Sequence, residues 1–329
     1  IGAGVLFVKA VATGVYMLRL VLVKIYAKRK YPALDFYAEP NEGALKQKNA
    51  ALLHQVVGII VNNTDTTVLT ICLGAKSLLE VSVYGIYMMV VNAVNQLMTS
   101  FSNGLTAGFG EVIAKNEEET LKKSYSSYEY MYFVIMFIVI ACMGVLILPF
   151  VGVYTINLTD VQYVRPVLGI LFTLIVFMQN VRNPGLTIIC AAGHYKETRY
   201  QAILEAVINI TVSLGLVWKF GMAGVLLGTV CSYGYRSFEI VFYTSRHLVK
   251  GCAKKSMFRI LRNVFTVAIL CTVGTYVIPQ EITSFTTWFL YAIGMGLTSV
   301  FFVVVINYVV EPDEFMQLRH RVNDIIKKE

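Results

Sequence analysis

The sequence predicts an all-α, polytopic membrane protein with about nine transmembrane helices. Hydrophobic residues make up 57% of the chain, charged residues only 15%, and the mean hydropathy is +0.64. In a soluble globular chain, about a quarter of the residues are charged. Apolar runs of about 20 residues, long enough to cross a bilayer core of about 30 Å, recur from one end of the chain to the other. Together these observations define the fold class.

Each apolar window is interpreted as one helix. The windows are 2–24, 51–73, 81–112, 128–151, 164–192, 200–218, 221–243, 263–279 and 285–310. Residues 219–221 mark a weak boundary between the sixth window and the seventh, and the window 263–279 is short. Tyr128, Tyr130 and Tyr132 stand where the fourth window begins, so they are predicted to anchor that helix at the membrane interface.

The basic residues predict the orientation of these helices. Most Lys and Arg residues fall in the connections on one side, whereas the opposite side has only Lys76, Arg165 and Lys219. Cytoplasmic loops carry the excess of Lys and Arg. The C-terminus is therefore predicted to be cytoplasmic. The chain begins with Ile1 directly in an apolar helix, so we expect it to be the C-terminal part of a longer protein.

The longest connection suggests a division of the chain. Residues 26–50 form a basic, turn-rich cytoplasmic linker after the first helix, 1–25. Six predicted spans follow in 51–245, and a loop with two further helices occupies 246–310. The tail 311–329 is amphipathic and suits a helix on the inner leaflet or one docked on the protein's own loops. Its apolar face consists of Phe315, Leu318, Val322, Ile325 and Ile326.

Several function classes find no support in the sequence. The six cysteines are scattered without CxxC or His-paired spacing, so neither a disulfide framework nor a metal site is predicted. No nucleotide-binding or hydrolase motif appears, so we expect neither an enzyme nor a cofactor. The net charge of +8 comes from short loops between apolar runs, which indicates membrane topology rather than a nucleic-acid partner.

The clearest candidate site residues lie inside the fifth window, 164–192. Gln179, Asn180, Arg182 and Asn183 interrupt it, and Pro184 follows at a position where the helix is predicted to bend. Polar residues within a bilayer are costly and by default indicate function. We therefore predict that this stretch lines a cavity. Alternatively, Arg182 reaches the headgroups and the amides bond to neighbouring helices.

The second window contains the only acid predicted near the bilayer midplane, Asp65. Asn62, Asp65, Thr66 and Leu69 share one helical face by their spacing. Asp65 is a candidate to carry a coupling proton or cation, or to contact a sugar hydroxyl. The alternative is a helix–helix hydrogen bond, worth about 0.6–2 kcal/mol.

The third window carries a polar stripe along one helix face. Its members are Asn92, Asn95, Gln96, Thr99, Asn103 and Thr106. One neighbouring helix rarely satisfies so many amides in lipid, so the stripe predicts a water-filled pathway. Gly104 and Gly108, like Gly224 and Gly228, have GxxxG spacing and predict close helix packing.

Other charged residues inside the windows are weaker candidates. Glu205, Arg236 and Glu239 lie in the cytoplasmic halves of their helices, where snorkelling explains them as well as function does. Lys9 lies deeper in the first window and is a candidate pathway residue.

Three diffuse patterns resemble the multidrug/oligosaccharidyl-lipid/polysaccharide (MOP) flippase superfamily, specifically its polysaccharide repeat-unit (Wzx-like) branch. They are Asn62–Asn63–Thr64–Asp65 with Val83–Tyr84–Gly85–Ile86–Tyr87, Cys190–Ala191–Ala192–Gly193–His194–Tyr195–Lys196 with Ala206–Val207–Ile208–Asn209–Ile210, and Phe220–Gly221–Met222–Ala223–Gly224–Val225 with Gly228–Thr229. The resemblance implies a MATE/MOP-like six-helix bundle over 51–245. The helix 1–25 is then the last of a preceding bundle, and 246–310 supplies two extra helices.

The resemblance also implies a function. It is the transfer of an undecaprenyl-pyrophosphate-linked oligosaccharide across the bacterial cytoplasmic membrane, with Arg182 and Lys9 as candidates to contact the pyrophosphate. Membrane lipids, a polysaccharide polymerase and glycosyltransferases are the implied partners. Two alternatives remain open: a multidrug/cation antiporter of the same superfamily that uses Asp65, and a membrane scaffold that transports nothing.

Overall fold

The computed structural model describes residues 4–31, 47–279, 281–316 and 319. The chain divides into two compact units, Ile1–Lys46 and Gln47–Glu329. Over the described residues the protein consists of helices, turns and bends, without a strand. The predicted all-α class is therefore confirmed. Within the predicted tail, residues 317–318 and 320–329 lie outside the described part, and so do most residues of the predicted linker.

The described part of the first unit is one helix, α1, Val5–Lys30. Its last turn holds Lys28, Arg29 and Lys30, where positive charge is favourable beside the negative end of the helix dipole. Lys9 lies on this helix and is exposed, and its carbonyl accepts a hydrogen bond from Thr13 Oγ1 at 2.9 Å. A pathway role for Lys9 stays a prediction.

Ten α-helices of the second unit lie wholly within its described residues and are joined by short connections. They are α2 Lys48–Cys72, α3 Ser77–Ser102, α4 Leu105–Ala114, α5 Glu118–Tyr154, α6 Pro166–Val181, α7 Asn183–Ala191, α8 Arg199–Phe220, α9 Met222–His247, α10 Ala253–Val277 and α11 Phe285–Val310. The core lies around α5, whose buried residues pack against α6, α10 and α11.

Seven helical segments of the described chain are long and apolar enough to cross a membrane. They are Leu6–Lys30, Ser77–Ala114, Glu118–Tyr154, Pro166–Ala191, Arg199–Phe220, Ala253–Val277 and Phe285–Val310. By length and composition, this is a multi-pass membrane protein. The other two predicted spans coincide with α2 and α9, which have 25 and 26 residues but are more polar. Much of that polarity lies between the two helices, since Thr229 and Tyr233 of α9 donate to Asp65 and Asn62 of α2.

Two predicted spans are each interrupted once. The window 81–112 consists of α3 and α4, which separate at Asn103 and Gly104, and Gly104 adopts a φ of +88°. The polar stripe therefore does not follow one continuous helix, because glycine tolerates the left-handed conformation that ends α3. The window 164–192 consists of α6 and α7, which separate at Arg182. Pro184 lies in the first turn of α7, where a missing N–H is tolerated, so the predicted bend is confirmed within two residues.

Two helices are longer than their apolar windows. The window 263–279 belongs to the 25-residue α10, and the window 128–151 belongs to the 37-residue α5. The prediction that Tyr128, Tyr130 and Tyr132 are interface anchors is wrong, since all three are buried in the core. The charged residues that precede each apolar window are part of the same helix, but a search for apolar runs does not include them.

Ion pairs at one end of the second unit explain this continuation. Arg259 on α10 is 1% exposed, and its guanidinium lies 3.0 Å from a carboxylate oxygen of Glu129 on α5 and 3.0 Å from one of Glu311. We name Arg259 and its ionic neighbours the Arg259 cluster. Its members are Lys255, Arg259, Arg262, Glu129, Glu311 and Glu314.

The Arg259 cluster carries equal numbers of positive and negative groups. Burial raises the pKa of the Glu314 carboxyl, but hydrogen bonds from Lys255 and Ser126 and the nearby Arg259 outweigh burial and hold that pKa below its ordinary value. Glu314 therefore stays ionised at neutral pH. The cluster joins α5, α10 and the segment after α11 through charge-assisted hydrogen bonds.

Glycines permit close packing of α8 against α9. A Cβ on Gly228 would lie 2.7 Å from the backbone nitrogen of Ser213, and one on Gly224 would collide with the carbonyl of Leu216. The close packing predicted from this GxxxG spacing is confirmed. The same prediction for Gly104 and Gly108 is wrong, because a Cβ at either position meets nothing within 4 Å.

Replacing Gly228 by alanine is expected to destabilise the second unit by about 1–3 kcal/mol, because the added methyl forces α8 and α9 apart. Thermal unfolding in detergent, followed by fluorescence, measures the change. Gly108→Ala is the matched control, since its methyl enters open space. Equal melting temperatures for the two variants would contradict the close packing.

Candidate functional site

Two polar cavities follow one another along α2 in the second unit. The first, named the His54 cavity, has a volume of about 290 Å³ and includes His54, Arg182, Tyr195, Glu205 and Arg236 in its lining. The second, named the Asp65 cavity, has a volume of about 380 Å³ and includes Asp65, Tyr84, Asn92, Asn95 and Thr229. At 1.5 Å per residue, His54 and Asp65 lie about 16 Å apart along the axis of α2.

The two cavities share a wall. Val61, Asn62, Gln179 and Tyr233 line both of them. The hydroxyl of Tyr233 donates to Oδ1 of Asn62 at 3.2 Å, which links α9 to α2 between the cavities. A rearrangement of these side chains would join the two spaces into one passage.

Asp65 lies in the wall of its cavity with both carboxylate oxygens bonded. Thr229 donates to one oxygen at 2.7 Å, and the Tyr84 hydroxyl donates to the other at 3.3 Å. The residue is 3% exposed. The helix–helix hydrogen bond of the alternative interpretation is thus present, and the carboxylate also lines a cavity. Asn62 and Asp65 occur together on this wall, as their spacing predicted.

Arg182 is paired with Glu205 in the His54 cavity. Its guanidinium donates to a carboxylate oxygen of Glu205 and lies over the ring of Tyr233, 4.5 Å from the centroid. The other oxygen of Glu205 lies 3.5 Å from Nε of Arg236, and Arg236 also bonds to Glu239. These four ionic residues, Arg182, Glu205, Arg236 and Glu239, form the Arg182 cluster. Two arginines balance two glutamates in formal charge.

The Arg182 cluster is largely withdrawn from solvent. Its side chains are 12% exposed at Arg182, 9% at Glu205 and 3% at Arg236. Nε of Arg182 is buried without a hydrogen-bond partner among the described residues. Snorkelling was the wrong interpretation of Glu205 and Arg236, because both side chains are buried in the bundle, where Glu205 pairs with Arg182 and Arg236 pairs with Glu205. A Glu and an Arg on consecutive apolar helices were the only signal in the sequence.

A network of amides supports the shared wall from behind. Asn95 donates to Gln179 at 2.8 Å, and Asn180 donates to Asn95 at 2.9 Å. Tyr132 donates to Asn180 at 2.9 Å, and Asn183 donates to the Tyr132 oxygen at 2.7 Å. Asn180 is only 1% exposed. The network thus holds Asn95 and Gln179 in position.

The predicted pathway residues therefore separate into several groups. Arg182, Gln179, Asn62, Asp65, Asn92 and Asn95 line the cavities. Asn180 and Asn183 line neither cavity and pack within the amide network, as in the alternative interpretation of this stretch. Gln96, Thr99 and Asn103 are exposed and lie outside both cavity walls.

Comparison with known proteins adds no family to these observations, since no family model and no curated protein matches the chain. Within the described residues, no group of three or more His, Cys, Asp and Glu side chains is placed to hold a metal ion. The functional groups that line the two cavities include guanidinium, carboxylate, amide, hydroxyl, imidazole and thiol groups.

Proposed function

We propose that this chain belongs to a membrane transporter that moves a lipid-linked oligosaccharide, carried on undecaprenyl pyrophosphate, across the bacterial cytoplasmic membrane. The observation that carries the proposal is the succession of two polar cavities along α2, within a chain of apolar helices. A headgroup of sugars and pyrophosphate needs such a polar route, because lipid offers it no hydrogen bonds.

The side chains of the cavities suit both parts of this headgroup. Arg182 and Arg236 supply planar, bidentate donors of the kind that bind phosphate. Asn62, Asn92 and Gln179 each offer a donor and an acceptor, which match the hydroxyl groups of a sugar. The anionic group would thus bind in the His54 cavity and the sugars beside it.

The proposal includes a specific architecture. In it the chain crosses the membrane nine times, and α2 and α9 are two of these spans. Residues 51–245 form a MOP-like six-helix bundle. The helix of 1–25 precedes this bundle, and two extra helices in 246–310 follow it. The C-terminus is then cytoplasmic, and transport proceeds by rocking one bundle against another. A polymerase and glycosyltransferases would act before and after the transfer step.

Reconstitution of the full-length protein tests the proposal. Vesicles would contain a polyprenyl-pyrophosphate oligosaccharide with a fluorescent label on its sugar, and a membrane-impermeant reductant would be added outside. We expect the protein to expose the inner-leaflet label, whereas protein-free vesicles keep that share protected. Equal protection with and without the protein would refute the flippase function.

A multidrug/cation antiporter is the second candidate. The buried carboxylate of Asp65 in a cavity wall favours it, because such an acid can couple transport to a proton or cation. The paired arginines in the other cavity suit an anionic substrate better. Dye efflux in a pump-deficient strain, lost in Asp65→Asn, would support the antiporter instead.

A scaffold that transports nothing would keep the Asp65 cavity dry. We expect Asn92→Cys, in a protein whose six native cysteines are replaced, to react with a water-soluble maleimide because Asn92 is an exposed residue of that cavity. Cys190 must be among those replaced, since it lines the His54 cavity. Ser213→Cys is the control and should stay unreacted, since Ser213 is buried on α8. Failure of Asn92→Cys to react would favour the scaffold.

A further inference from the structure

The two arginines of the His54 cavity already hold an anion, the carboxylate of Glu205. One of its oxygens accepts from Arg182, and the other lies 3.5 Å from Nε of Arg236. A carboxylate and a phosphate make the same kind of contact with guanidinium groups. Glu205 thus occupies the position between two cations that an external anion would need.

Charge balance gives this occupation a consequence. The Arg182 cluster holds two arginines and two glutamates, and it is largely buried. An external anion added to this cluster would leave a buried excess of negative charge, which is strongly unfavourable. Such an anion can bind only if one carboxylate leaves the arginines.

The two glutamates of the Arg182 cluster differ in the arginines that they contact. Glu239 contacts Arg236 from one helical turn away on the same helix, α9, and does not contact Arg182. Glu205 comes from α8 and joins the two arginines. Its side chain also lines the His54 cavity and has space there to turn away. Glu205 is therefore the carboxylate that an incoming anion would replace.

We propose that Glu205 is a tethered anion that occupies the Arg182–Arg236 site at rest and is displaced by a phosphate or pyrophosphate group of the substrate. The inference rests on the proposed function for the identity of that group. The exchange keeps both arginines paired in either state.

Binding of inorganic pyrophosphate to the purified full-length protein, measured by calorimetry, tests this exchange. We expect Glu205→Gln to tighten binding at least tenfold relative to the native protein, because the competing charge is gone. The double variant Glu205→Gln with Arg182→Gln should lose that gain. Glu239→Gln is the matched control, since it removes a carboxylate from Arg236 alone, and it should give a smaller gain.

Unchanged or weaker pyrophosphate binding by Glu205→Gln would overturn the proposal. If that variant does not fold, Glu205→Asp replaces it, because the shorter carboxylate withdraws from Arg182 and should also tighten binding. No gain in the aspartate variant would then overturn the proposal.

The two proposals fail in different ways. Tighter pyrophosphate binding in Glu205→Gln, together with no translocation of the labelled oligosaccharide by the native protein, leaves the tethered anion standing and refutes the flippase. Translocation by the native protein, together with pyrophosphate binding that does not change in Glu205→Gln, supports the flippase and refutes the tethered anion.

Discussion

Replacing Arg259 by alanine is expected to lower the free energy of unfolding of the second unit by about 3–5 kcal/mol. The loss arises because Glu129 remains buried, at 2% exposure, without its cation. Glu311 and Glu314 also lose their contacts to the same guanidinium, which leaves Arg262 and Lys255 as their remaining cations and weakens the hold on the segment after α11. Thermal unfolding in detergent, with the fluorescence of Trp288 on α11 as the probe, measures the change.

Lys254→Ala is the control for this substitution. Lys254 is an exposed cation on the same helix, and its removal should change the unfolding free energy by less than about 0.5 kcal/mol. A double variant, Arg259→Ala with Glu129→Ala, should lose less than the sum of the single losses, because it leaves no buried acid on α5 without a cation. Additive losses, or a stable Arg259→Ala protein, would show that the Arg259 cluster does not join these helices.

Replacing Arg182 by glutamine is expected to reduce oligosaccharide translocation by a factor on the order of 30 or more, because truncation of a buried charge contact costs about 2–5 kcal/mol. Glutamine keeps hydrogen-bonding capacity but loses the charge and the contact with the Tyr233 ring. The initial rate of label exposure in reconstituted vesicles is the measurement, with the amount of inserted protein determined in parallel.

Arg246→Gln is the matched control for Arg182→Gln. Arg246 is exposed in the last turn of α9, and its loss should leave the translocation rate near that of the native protein. A native rate in Arg182→Gln, at equal insertion, would remove Arg182 from the transport pathway. Loss of insertion in Arg182→Gln would instead assign the arginine to folding.

Local patterns predicted the helical class and several details of the site. Gly221 ends α8, with a φ of +56°, at the weak boundary between two apolar windows. The helix break beside Pro184 also follows from chain chemistry alone, since proline cannot donate in a helix interior. Asn62, Asp65 and Gln179 reached a cavity wall because polar groups in apolar helices must find polar surroundings.

Pairing between distant helices could not be predicted in this way. Glu205 is 23 residues from Arg182, and Glu129 is 130 residues from Arg259. Each of these acids and bases is also compatible with a snorkelling position at a helix end, so the sequence alone does not select its partner. Tyr132 shows the same limit, because an aromatic residue at the start of an apolar window suits both the interface and the core.

The hydrogen bonds between α2 and α9 have a consequence for biogenesis. Asp65 and Thr229 are 164 residues apart, so a ribosome that adds 5–20 residues per second needs roughly 8–30 s to supply the partner. An aspartate at the centre of a lone helix in lipid costs about 2.5–3.5 kcal/mol during that time. On the proposed topology, we therefore expect α2 to remain beside the insertion machinery until α9 has been synthesised.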